Sequence, residues 1–189
     1  MVARIVEGVV AQLTAGGSLR TPMSWNDFQS MGETKHHEYY DGLTVVDPPS
    51  RRHVLVTKRL TRLLDQAAPA GHEALPEFGW QPADRTVFEP DVMLAATDAP
   101  GSDVLRAPPL IVVEVTSPST RSDDLGRKMR AYAQGAAPWY WIADPDAGSL
   151  VVYRLTGGTY VEYSRGSTAR PLELTEPLVL TIDLVALFG

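Results

Sequence analysis

Glu114 stands in the middle of an apolar run, "LIVVEV" (Leu110 to Val115), and few residue types are less at home there. Charged side chains are almost never fully buried unless something pairs with them. A lone carboxylate in an apolar interior takes up a proton rather than stay charged. Glu114 therefore needs a partner, or a site where water and a cation are available. Side chains alternate along a strand, so Val112, Glu114 and Thr116 share one face while Ile111, Val113 and Val115 share the other. Upstream, "EPDVMLA" sets Asp91 at the head of another short apolar strand. Two such strands joined by a loop can pair antiparallel and bring both carboxylates to one divalent cation. A main-chain carbonyl such as that of Val115 would add a further oxygen. Carboxylates, carbonyls and waters are the ligands that Mg2+ or Mn2+ prefers. Downstream, Lys128 falls at the margin of a helical apolar stripe made by Leu125, Met129 and Tyr132, from where its ammonium can lean over the core edge toward Glu114.

Each of these residues also has an ordinary reading. Asp91 alone, after a proline, reads as a turn or cap residue. Lys128 alone reads as a snorkelling surface lysine. Glu38, beside an Asp-Gly turn, reads as a solvent-facing strand residue, and His53, in the first turn of a helix, as a local hydrogen-bonding group. His36, His37 and His72 lack zinc-type spacing. Trp139, Tyr140 and Trp141 read as strand packing. Glu114 is the residue with no ordinary explanation.

The elements that must hold these groups can be traced along the chain. Residues 1–20 form a weakly specified, flexible extension, and 21–189 a single domain. Ser24 caps a short helix carrying Trp25 and Phe28 on one side. "HHEYYDGLTVV" is a hairpin around Asp41-Gly42. Ser50 caps a helix with apolar positions Val54, Leu55, Leu60, Leu63 and Leu64. Short extended stretches follow at 73–75, 79–81, 86–88 and 91–95, then the apolar strand over 110–116. Ser119 or Thr120 caps the helix "RSDDLGRKMRAYAQG", which Gly135 ends. "WYWIAD", "SLVVYRL" and "TYVEYS" are strands, and "PLVLTIDLVALF" is a strand followed by a short helix. The order is mixed α and β, with one central apolar strand and a flanking helix.

Composition narrows the chemistry. With 189 residues, 44% of them hydrophobic, and a net charge of −6, the chain can bury a substantial core but offers no overall basic surface for phosphates. The absence of cysteine removes disulfides, thiolate metal sites and cysteine nucleophiles. No run approaches the roughly 20 apolar residues of a membrane span, and the N-terminus lacks a signal-peptide core; the expected location is cytoplasmic. One stretch, "RRHVLVTKRLTR", is basic without an acidic residue.

Pro90-Asp91, "VVEVTSPST" (112–120), "DDLGRKMRAY" (123–132) and "WYWIAD" (139–144) together resemble the PD-(D/E)xK nuclease superfamily. More narrowly they resemble its restriction-endonuclease-like Uma-two branch, whose earlier blocks are matched by "HEYYDG" (37–42) and the helix with His53. The resemblance covers roughly residues 22–189. It implies a restriction-endonuclease-like core, a mixed β-sheet flanked by helices with additional β-hairpins. It also implies Asp91 and Glu114 as metal ligands, Lys128 beside the attacking water, and Glu38 as an accessory acid. Thr116 stands where the superfamily's lysine usually does, and Lys128 matches the position from which this branch supplies it. The expected function is a Mg2+-dependent (or Mn2+-dependent) endonuclease hydrolysing phosphodiester bonds in DNA, acting as a homodimer, with Arg51, Arg52, Lys58 and Arg59 touching the backbone. A non-catalytic interaction module on the same fold and a hydrolase of another phosphate ester are the rivals.

Overall fold

The computed structural model describes residues 11–13, 17–32, 37–118 and 120–189. Most of the expected extension (1–10 and 14–16), His36 and the proposed cap Ser119 lie outside the described residues.

The first sheet begins with β1 (Gln12–Leu13) and β2 (Leu19–Pro22), so its second strand starts within the stretch expected as an extension. Helix α1 (Trp25–Ser30) follows, with the Ser24 side chain accepting from the Asp27 N–H and Phe28 buried. The hairpin β3 (Glu38–Tyr40) and β4 (Leu43–Val46) turns at Asp41 and Gly42, which take φ of 51° and 72°. That conformation is why an Asp-Gly pair is there. Helix α2 (Arg51–Ala67) is capped by Ser50, and then come β5 (His72–Pro76), β6 (Trp80–Ala83), β7 (Thr86–Phe88) and β8 (Val92–Ala96). Strand β9 (Ile111–Val115) is buried throughout. A single helical run follows as α3 (Arg121–Asp123), a π-helical turn (Asp124–Lys128) and α4 (Met129–Gln134). Strands β10 (Trp139–Asp144), β11 (Ser149–Thr156), β12 (Thr159–Ser167), β13 (Leu172–Leu174) and β14 (Leu180–Ile182) lead to helix α5 (Leu184–Phe188).

Two six-stranded sheets result, ordered β1-β2-β4-β3-β7-β6 and β12-β11-β10-β9-β8-β5, beside a small β13-β14 ribbon. In the second sheet β9 and β10 run parallel and the other neighbours antiparallel. The fold is thus a mixed α/β sheet flanked by helices with added hairpins. Ile111, Val113 and Val115 pack on α2 and α5, in one core with Trp139, Trp141 and Leu60. Val112 faces the other way, into a second core with Tyr40, Phe88, Tyr132 and Tyr140. By alternation Glu114 points to that second side, between the sheets. The aromatic triplet at 139–141 is buried strand packing.

Two expected apolar positions face outward. Val54 and Leu125 are exposed. In α2 the buried stripe is Val56, Thr57, Leu60 and Leu64, a phase shifted from the expected one. In the later helix the wide π turn rotates the phase, burying Asp124 and Lys128 and turning Leu125 to solvent. Gly135 does end its helix, but not by a left-handed conformation: its φ is −73°. A Cβ there would stand 2.6 Å from Pro82 Cβ and 2.7 Å from the Trp80 ring. Gly135→Ala is therefore expected to destabilise by about 1–3 kcal/mol through overpacking. Urea unfolding measures it, and an unchanged midpoint would show that Trp80 yields freely.

Candidate active site

Pairing register delivers the two carboxylates. Val92 lies opposite Val113 in the antiparallel β8–β9 pair. One residue further, the same register sets Asp91 opposite Glu114, on the face that Glu114 uses. Asp91 is held at several points. Its Oδ2 accepts from the Val115 N–H at 2.6 Å, and its Oδ1 lies 2.8 Å from His53 Nε2. Its carbonyl accepts from the Glu77 N–H at 3.2 Å. Glu114 Oε1 accepts from Tyr132 Oη at 2.5 Å and from Lys128 Nζ at 3.1 Å.

Lys128 arrives from the π turn, a feature often found at functional sites. Its ammonium lies 2.7 Å from Glu38 Oε1, 3.1 Å from Glu114 Oε1 and 3.8 Å from Asp124 Oδ1. It is only 8% exposed. Glu38 reaches it from the first sheet, across the gap between the sheets, and also accepts from the Glu89 N–H at 3.4 Å. Asp124 is 1% exposed and neither carboxylate oxygen has a hydrogen-bond partner. These groups, with His53 and Asp91, line one cleft of about 280 Å³.

One ammonium faces several buried carboxylates, and the proton affinities follow. Burial raises Glu38 and pushes Glu114 well above the usual carboxylate range, with Lys128 only partly offsetting it. Burial likewise raises Asp124 to about 7. Burial alone would lower Lys128, but Glu114 and Glu38 outweigh it and hold the ammonium charged. Burial would also lower His53, and the hydrogen bond and charge of Asp91 reverse the direction.

These shifts set a pH dependence. A carboxylate with a raised folded pKa binds its proton more tightly in the native state. Its stabilising contribution is complete below the unfolded pKa and lost as pH rises through the folded one. For Asp124 that window runs from about 4 to about 7. The raised His53 adds a loss of the same sign as pH passes its own folded value. The metal-free protein is therefore expected to melt at progressively lower temperature from pH 5 to pH 8, and Asp124→Asn should flatten that slope. Thermal unfolding across this range checks it; a melting temperature that climbs with pH would refute it.

The same excess of carboxylate is what a hard divalent ion would neutralise. Among the described residues no three His, Asp or Glu side chains form a ready-made metal cage. Mg2+ commonly needs only one or two carboxylates, with waters and substrate phosphate completing its shell. Asp91 and Glu114, on one face at one strand end, with Val115 lining the same cleft, fit that demand.

The expected basic contacts are less uniformly placed. Arg52 donates to Asp146 Oδ1 at 2.9 Å and to the Pro145 carbonyl at 2.8 Å, and Arg59 donates to the Leu187 carbonyl at 2.9 Å. Arg51 and Lys58 are exposed on α2. Asp124 and Tyr132 are site residues that sequence reasoning passed over. An Asp four residues before a Lys ordinarily signals a surface helix pair, and Tyr132 reads as core.

The family model Uma2, described as putative restriction endonuclease, matches residues 25–185. The fold is similar to a crystal structure of a putative nuclease belonging to DUF820 from Anabaena variabilis ATCC 29413. The TM-score is 0.71 at 16% identity, over 89% of this chain and 100% of that one. No curated protein matches in sequence. Among the described residues no helix is long and apolar enough to cross a membrane.

Proposed function

Since the chain belongs to the restriction-endonuclease-like Uma2 family, we propose that it is a divalent-metal-dependent endonuclease cutting phosphodiester bonds in DNA at the cleft around Glu114. The observation that carries this reading is the meeting of Asp91 and Glu114 in one cleft, with Asp91 bonded to the Val115 N–H at 2.6 Å and the Lys128 ammonium 3.1 Å from Glu114. Asp91 and Glu114, with the Val115 carbonyl, would hold Mg2+ or Mn2+. Such an ion, when bound, polarises the phosphate and lowers the pKa of a coordinated water.

The chain's own groups supply the rest. Lys128 orients the attacking water and offsets negative charge growing on the phosphate oxygens. Glu38, 2.7 Å from Nζ, fixes that ammonium, and Tyr132 anchors Glu114. Arg51 and Lys58 contact the nucleic-acid backbone, joined by Arg52 and Arg59 when they leave their carbonyl partners; such contacts position without reading sequence. A two-fold cytoplasmic dimer would present one site to each strand.

The test is cleavage of supercoiled DNA with Mg2+, Mn2+ or chelator, alongside single strands, RNA and small phosphodiesters, with calorimetry of metal binding. Metal-dependent nicking of DNA is the expected result. Turnover of small diesters alone would move the substrate class. Neither cleavage nor metal binding, with DNA present, would leave a non-catalytic interaction module.

A further inference from the structure

We infer that His53 is the positioning residue of this site, locking the Asp91 carboxylate in the plane from which it can accept a cation. The inference rests on the metal-site reading above.

The terminal torsion of an aspartate is broad and weakly preferred on its own. Here both oxygens are pinned from different elements: Oδ2 by the Val115 N–H of β9, Oδ1 by His53 Nε2 of α2. Each carboxylate oxygen has two lone pairs, so a single hydrogen bond to each leaves one free, and the carboxylate keeps its capacity to bind while losing its freedom to turn. The backbone that carries the imidazole is fixed in turn. His53 sits in the first turn of a long helix, its main-chain N–H donating to the capping Ser50 Oγ at 3.2 Å, and both ring and carboxylate are largely buried, at 18% and 14% side-chain exposure. His53 lies in the wall shared by the main cleft and a smaller adjoining groove lined by Ser50, Arg52, Ser117 and Pro145. Asp91 is thus held by an imidazole and a main-chain N–H, and Glu114 by an ammonium and a phenol, with no partner in common.

The experiment compares His53→Ala and His53→Gln with wild type. The glutamine amide N–H can reach the atom that Nε2 reaches, without an aromatic ring. Mn2+ affinity, by calorimetry, should fall about 10- to 100-fold in His53→Ala, the usual cost of removing an outer-shell partner. His53→Gln should recover most of it. In DNA cleavage, kcat should fall and KM stay unchanged. A readout without metal stands beside these: the Val115 amide resonance should shift in His53→Ala and return in His53→Gln. Unchanged Mn2+ affinity in a folded His53→Ala overturns the positioning role, as does a glutamine variant that folds without rescue. Wild-type protein that binds no Mn2+, with or without a DNA duplex, overturns the metal-site reading instead.

Discussion

Lys128→Met is expected to lower the unfolding free energy by about 3–5 kcal/mol at pH 8, the range found when one partner of a buried ion pair is removed. Methionine keeps the length and much of the packing of the lysine stem, so the loss reports charge rather than a cavity. Three carboxylates surround the ammonium, at 2.7, 3.1 and 3.8 Å. Without it Glu38, Glu114 and Asp124 face one another, largely buried, with no cation between them. Their proton affinities, already raised by burial, rise further. The deficit should then shrink toward pH 5, where protonation relieves the repulsion, and grow toward pH 8. Urea denaturation at both pH values makes the measurement. A deficit that is absent, or equal at both ends, would mean that solvent and not Lys128 neutralises the cluster.

Glu114→Gln should separate stability from activity. DNA cleavage is expected to drop by about 10²–10³-fold, the cost of losing one preorganised group at a reacting centre. The metal-free variant should nevertheless melt higher than wild type at pH 8. Glu114 has a folded pKa well above the ordinary range, so its contribution to stability is lost as pH rises through that value. Glutamine does not titrate and escapes the loss. Lys128 keeps Glu38 beside it, and Tyr132 can still donate to the amide oxygen. Adding Mg2+ should raise the melting temperature of wild type through linkage and leave the variant unmoved. A residue that is destabilising where it stands and needed for turnover is one held for function. Equal losses of stability and activity would instead make Glu114 a structural residue.

Much of this arrangement can be read from the chain because it depends on local chemistry. The caps at Ser24 and Ser50 and the Asp41-Gly42 turn follow from backbone satisfaction and from φ. The facing of Asp91 and Glu114 follows from strand alternation once antiparallel pairing is assumed. Other parts depend on the backbone departing from its average. The π turn that carries Lys128 inward has no compositional mark, which is why Leu125 reads as buried and Asp124 as a surface residue when the reverse holds. The approach of Glu38 to Lys128 crosses between two sheets, and no periodicity encodes the distance between sheets. Only the family resemblance pointed to Glu38. Gly135 reads as a conventional helix stop, yet what requires glycine there is the close approach of Pro82 and the Trp80 ring.

The core beneath β9 has a consequence for a chain still being made. All of the candidate site has been synthesised once Tyr132 has left the ribosome. Yet the apolar side chains under Ile111, Val113 and Val115 are sealed by Leu184, Leu187 and Phe188, and Arg59 of α2 is tied to the Leu187 carbonyl. The strand bearing Glu114 thus draws part of its apolar backing from residues synthesised some fifty positions after Tyr132, so every side chain of the site is on the growing chain before the core beneath it is complete.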